Sequence, residues 1–162
     1  KGFCFVAGTE IATPEGGKAI ETFKAGDAVI SLDAVNDVIE MHDMGEHETY
    51  MLATEDCTVP TTASEKVLTP EGLKVVESLV IGEPIMTVHG YQPVTQCEPT
   101  GKTEQVYELQ CTGDNLFYAN GIMAEGINED ELQAIKGNSN EDADNKGAKK
   151  QAKKAVRKTL RK

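Results

Sequence analysis

No stretch of this 162-residue chain approaches the ~20 consecutive apolar residues that a membrane-spanning helix needs. The apolar run before Gly8 is also too short for the core of a secretory signal. No membrane partner is therefore expected. The four cysteines, Cys4, Cys57, Cys97 and Cys111, include no C-x-x-C pair, which favours reduced thiols over a disulfide framework. Neither a G-x-G-x-x-G stretch nor a P-loop occurs, and no cofactor is expected. Histidine is scarce, with three residues. His42 and His47, with Asp43 and Glu46, flank Gly45 and read as solvated turn residues rather than a metal site. His89 reads as a surface residue, and no metal is expected.

Basic residues are sparse except at one end. Residues 1–147 hold eight lysines and arginines against 27 acids, a balance of −19. That body repels nucleic acid. Residues 148–162 hold the other eight basic residues and no acid. Lys149, Lys153, Arg157 and Arg161 form one helical stripe, and Lys150, Lys154, Lys158 and Lys162 form a neighbouring one. The pattern suits a polyanion or an acidic protein surface as partner.

The chain also repeats itself. Residues 13–31 align with 69–87 at an offset of 56, without a gap. Thr13/Thr69, Pro14/Pro70, Glu15/Glu71, Gly16/Gly72, Lys18/Lys74, Glu21/Glu77 and Gly26/Gly82 are identical. The offset continues through Val38/Val94, Gly45/Gly101 and Glu48/Glu104. Two copies are too few for a solenoid, so half-repeats 13–48 and 69–104 are expected to pack about a pseudo-twofold axis.

Each unit opens on a Thr-Pro-Glu-Gly turn. One helical or 3₁₀ turn follows, with Ile20 and Phe23, or Val76 and Leu79, facing inward. Strands fit 10–12, 29–30, 66–68, 85–86, 115–118 and 122–124. Further strands near 36–43 and 48–54, and near 91–98 and 104–111, are expected to be joined by hairpin turns at Gly45 and Gly101. Frequent short strands make residues 1–126 an all-β domain. A short helix with an acidic first turn is expected over 127–136, a flexible linker over 137–147, and a basic helical tail over 148–162.

The run Cys4-Phe5-Val6-Ala7-Gly8-Thr9-Glu10, continuing to Pro14, Ile20-Glu21 and Gly26-Asp27, resembles the first block of Hint domains. These form the shared fold of inteins, hedgehog C-terminal domains and bacterial intein-like domains. Phe117-Tyr118-Ala119-Asn120-Gly121-Ile122 resembles the family's last block, and Val106-Tyr107-Glu108-Leu109 the strand before it. The resemblance covers about residues 4–126 and implies an all-β fold of two pseudosymmetric halves.

It also implies a chemistry of self-cleavage or self-splicing on the chain's own flanking polypeptide. Cys4 stands where the family's nucleophile attacks the preceding carbonyl, here that of Phe3. The family's T-x-x-H motif corresponds to Thr61-Thr62-Ala63-Ser64, with Ser64 in the place of histidine. Serine offers no proton at a useful pKa, so N-terminal thioester chemistry is expected to be impaired. Glu108 stands where aspartate is usual and Asn115 where histidine often occurs. Glu125-Gly126 replaces the terminal His-Asn, and Asn128 lies two residues late, so asparagine cyclisation is expected to be lost. The other reading that the resemblance suggests is a non-catalytic module in a larger bacterial or phage assembly, located in the cytoplasm or a virion.

Overall fold

The computed structural model describes residues 3–142, and the chain divides after Gly126. The first unit is built of thirteen strands: β1 (Phe5–Val6), β2 (Glu10–Thr13), β3 (Gly16–Ala19), β4 (Ala28–Ile30), β5 (Val35–Ala53), β6 (Thr58–Thr61), β7 (Lys66–Thr69), β8 (Gly72–Val75), β9 (Pro84–Thr87), β10 (Gly90–Pro93), β11 (Gln96–Cys111), β12 (Leu116–Ala119) and β13 (Ile122–Glu125). The expectation of an all-β domain holds. Short 3₁₀ turns at Ile20–Thr22 and Val76–Ser78 stand where one turn of helix is predicted in each half-repeat.

One sheet runs β11-β1-β6-β5-β4, and β11 pairs with β5 as well, so its strands close on themselves. The second runs β10-β9-β13-β12-β2-β3, with β7 and β8 joined through β13. The symmetry-related long strands β5 and β11 pair antiparallel with each other, as strands on either side of a twofold axis do. Ile20, Phe23, Val76 and Leu79 all enter one buried cluster, with Phe5, Leu52, Leu109 and Phe117 among their neighbours. All four cysteines are free thiols, and Cys4, Cys57 and Cys111 are buried.

The half-repeats share hydrogen bonds as well as residues. Thr13 Oγ1 donates to the Gly16 carbonyl at 2.6 Å, and Thr69 Oγ1 to the Gly72 carbonyl at 2.8 Å. Lys18 reaches Asp27 at 2.7 Å, and Lys74 reaches Glu83 at 2.5 Å. The N–H groups of Gly26 and Gly82 donate to the carbonyls of Val38 and Val94, each at 2.8 Å. The identities seen in the sequence are therefore the residues that make these bonds.

Gly45 and Gly101 are not hairpin turns. β5 and β11 run unbroken through both positions, and the glycines sit at register shifts in their ladder. Val106 faces Gly45 while Tyr107 faces Asp43, which leaves Met44 unmatched in a bulge. Gly45 has φ +83° and Gly101 φ +79°. A bulge and a tight turn ask for the same left-handed glycine, so composition alone does not separate them. His42, Asp43, Glu46 and His47 consequently lie along β5 rather than around a loop.

In the second unit, α1 spans Glu129–Asp142. Its start carries a reciprocal cap. Glu131 N–H donates to Asn128 Oδ1 at 2.8 Å, and Asn128 N–H donates to Glu131 Oε1 at 3.0 Å. The helix continues beyond the predicted end at 136, through the first six residues of the predicted linker. No proline lies there, and Gly137 costs a helix only about 1 kcal/mol. The rest of that linker and the basic tail lie outside the described residues.

Candidate active site at Cys4

β1 is two residues long, yet it is held on both sides. Phe5 faces Tyr107 and Val6 faces Val106 on β11, while Phe5 faces Thr61 on β6. Carrying both registers back one residue puts Cys4 level with Glu108 on one flank and Thr62 on the other. The bonds around Cys4 agree. Its N–H, which belongs to the Phe3–Cys4 peptide bond, donates to Thr62 Oγ1 at 2.9 Å. Its carbonyl accepts from Thr61 Oγ1 at 2.6 Å and from the Thr62 N–H at 3.2 Å. Cys4 packs with Val6, Val106 and Met44, and it is fully buried.

Two carboxyl groups complete the cluster, and both are 0% exposed: Glu108 and Glu65. Burial, first, and then the neighbouring Glu65 carboxylate push the Glu108 carboxyl well above the usual carboxylate range; the Cys4 sulfur adds to the same direction. One oxygen of Glu108 also accepts from the Leu109 N–H at 3.0 Å.

Of the residues predicted for this site, Cys4, Thr61 and Glu108 come together. Ser64 does not share their place. It is the third residue of a turn closed by the Glu65 N–H donating to the Thr62 carbonyl at 3.2 Å, and it is half-buried. The residue that ends the turn inside is Glu65. The turn thus spans Thr62-Ala63-Ser64-Glu65, one residue after the stretch Thr61 to Ser64 that the resemblance pointed to. Two adjacent threonines allow either alignment from sequence. The half-repeat offset carried backwards pairs Val6 with Thr62 and Thr9 with Glu65.

Asn115 ties the chain at Cys111 to Gly126. It has φ +62°, accepts the Cys111 N–H at 2.8 Å through Oδ1, and donates from Nδ2 to the Gly126 carbonyl at 2.9 Å. The Gly126 N–H returns a bond to the Asn115 carbonyl at 2.8 Å. A Cβ on Gly126 would overlap the Leu109 carbonyl oxygen and lie 2.6 Å from Asn115 Oδ1. No side chain fits at this position without a backbone shift.

The sequence model of the Hint domain family matches residues 3–60. The β unit has the Hint fold. Solved structures extend the likeness over the β unit. The gp41-1 intein is 22% identical, with a TM-score of 0.72, over 77% of this chain and 99% of its own. A bacterial intein-like domain from Clostridium thermocellum is 25% identical, with a TM-score of 0.69, over 77% and 99%. A DnaB intein from Synechocystis sp. PCC 6803 is 19% identical, with a TM-score of 0.70, over 76% and 99%. No curated protein sequence matches the chain. Among the described residues of this Hint domain and its helix, no helix is long and apolar enough to cross a membrane.

Proposed function

We propose that this Hint domain performs the N-terminal step of protein splicing on its own chain and lacks the C-terminal step. The Cys4 thiol attacks the Phe3 carbonyl carbon and turns the Phe3–Cys4 amide into a thioester, which water or an added nucleophile then opens. The observation that carries this reading is the burial of nucleophile, scissile N–H and two carboxyl groups in one cluster, with Cys4, Glu65 and Glu108 fully buried and Thr62 at 2% exposure. A thiol is the most reactive nucleophile among ordinary side chains near neutral pH. Exclusion of water also protects a thioester from immediate hydrolysis. The lost C-terminal step is supported by Gly126, whose surroundings leave no room for a cyclising asparagine.

The test is the intact mass of the full chain after incubation with hydroxylamine at neutral pH. A product beginning at Cys4 is expected, and Cys4→Ala abolishes it. A single unchanged mass would remove the autoprocessing reading. It would leave the non-catalytic one, a module of a larger bacterial or phage assembly, which the closed site at Gly126 favours. In either reading the residues from Lys149 to Lys162 serve as a polyanion-binding tail, on the strength of eight positive charges within fifteen residues. Duplex DNA binding that falls steeply with salt, and disappears on removal of residues 147–162, is the expected result. Salt-insensitive binding would remove the tail from the account.

A further inference from the structure

We propose that Met44, aimed by the bulge in β5, is the stopper that keeps water off Cys4 and sets how long the Cys4 thioester survives. This rests on Cys4 being the nucleophile and names the residue that governs the lifetime of its intermediate.

The register of β5 against β11 builds the device. Val106 faces Gly45 and Tyr107 faces Asp43, so Met44 has no partner in the ladder. Gly45, at φ +83°, brings no side chain to the place opposite Val106. Met44 fills that place and packs against the cluster of Cys4, Val6 and Val106. Cys4 and Val106 are fully buried and Val6 nearly so, whereas Met44 is half-buried and forms the layer between them and solvent. Bulges recur beside active sites because the extra residue turns a side chain in a new direction.

The second half carries the same bulge with a different side chain. At the offset of 56, Met44-Gly45 becomes Thr100-Gly101, and the ladder shifts register there too, between Pro99 and Thr103. Thr100 Oγ1 lies 2.6 Å from Thr49 Oγ1 and accepts the Lys102 N–H at 3.0 Å, so its hydroxyl pins that bulge. The Met44 bulge is pinned through its backbone instead, where His47 Nε2 donates to the Met44 carbonyl at 3.0 Å. The Met44 side chain is held by packing, and it is unbranched, so it can turn aside without moving the strand.

The chemistry gives that layer its consequence. Once the Cys4 sulfur is bonded to the Phe3 carbonyl carbon, water competes with any other nucleophile for that carbon. The water oxygen bonds to it, the carbon–sulfur bond breaks, and the departing sulfur takes a proton from the water. The products are a Phe3 carboxylic acid and the Cys4 thiol. Met44, Val6 and Val106 offer an approaching water no side-chain hydrogen bond, and a buried water needs two or more such partners. The lifetime of the thioester then follows the cover that Met44 provides.

The test is alkylation of Cys4 by iodoacetamide in the folded full chain at neutral pH, read site by site by peptide mass. Cys57 and Cys111, also buried, report any general opening of the fold. Cys4 should react slowly in the unmodified chain and about 10-fold faster or more in Met44→Ala, with Cys57 and Cys111 unchanged. Met44→Leu refills the space and should keep Cys4 slow. Release of the Cys4-initial product without added nucleophile should rise with the alkylation rate across the three chains. An unchanged Cys4 rate in Met44→Ala overturns the stopper, and so does a rise shared equally by Cys57 and Cys111. Release that Met44→Ala does not speed, despite faster alkylation, overturns its hold on the thioester. Faster alkylation with no release from any chain, even with hydroxylamine, overturns the cleavage reading and leaves the cover over Cys4 standing.

Discussion

The turns Val6–Thr9 and Thr62–Glu65 hold equivalent places in the two halves, 56 residues apart. Each closes with its fourth N–H donating to its first carbonyl at 3.2 Å. Each then passes its last carbonyl to a 3₁₀ turn: Ile20 N–H donates to Thr9 at 2.9 Å, and Val76 N–H to Glu65 at 2.8 Å. The side chains part company there. Thr9 Oγ1 donates back to the Val6 carbonyl at 2.8 Å and finishes the turn locally. Glu65 sends a carboxyl into the Cys4 cluster instead. The backbone is duplicated, and the halves differ in the side chain that reaches the Cys4 cluster.

The strongest way to break this comparison is to impose the second half's side chain on the first. Thr9 is 1% exposed and its turn has no acid partner of the Glu108 kind, so Thr9→Glu should lose about 3–5 kcal/mol, read as a fall in the urea midpoint. A tolerated Thr9→Glu would show that the two turns are not packed alike. The symmetric core comes next. Phe23→Ala and Leu79→Ala each empty the same position in one half, and losses of about 3–5 and about 2–5 kcal/mol are expected by equilibrium unfolding. A loss confined to one half would contradict a shared core.

Glu108→Gln sharpens the difference through pH. The folded protein holds this carboxyl's pKa above its unfolded value, so its contribution is fully present below the unfolded value and is lost as pH rises through the folded one. Urea midpoints of the unmodified chain should therefore decline from about pH 5 towards alkaline pH, and Glu108→Gln should flatten that decline. A parallel decline in both proteins would place its origin elsewhere. The smallest effect belongs to the paired surface contacts. Lys18→Ala removes the ion pair to Asp27 and Lys74→Ala the pairs to Glu83 and Glu71; both are solvent-screened and should shift the melting temperature least.

Much of the fold could be read from the chain because it states its core twice. Ile20/Val76 and Phe23/Leu79 recur at one offset, and Gly26 and Gly82 fix the chain path after them. β1, β3, β6 and β8 were not legible. β1 is two residues long, and β3 begins on Gly16 and Gly17, whose strand form depends on pairing with β2 rather than on propensity. Gly45 and Gly101 signalled a left-handed backbone but not whether the chain reverses there. At the site, the family pattern points to Cys4 and Glu108, which the β1–β11 register places level with each other. Glu65 is not legible in the sequence, because a charged residue in a polar turn reads as surface, whereas the fold buries it completely.

The proposed cleavage at Phe3–Cys4 rests on the buried cluster that Glu65 completes where the symmetry breaks. Its most direct test turns the second half into the first. Glu65→Thr gives the second turn the side chain of Thr9, and its intact mass can be followed beside that of the unmodified chain during incubation with thiol at neutral pH. The unmodified protein should accumulate a chain beginning at Cys4 while the folded Glu65→Thr protein keeps its full mass. Equal rates of cleavage in the two would contradict the account.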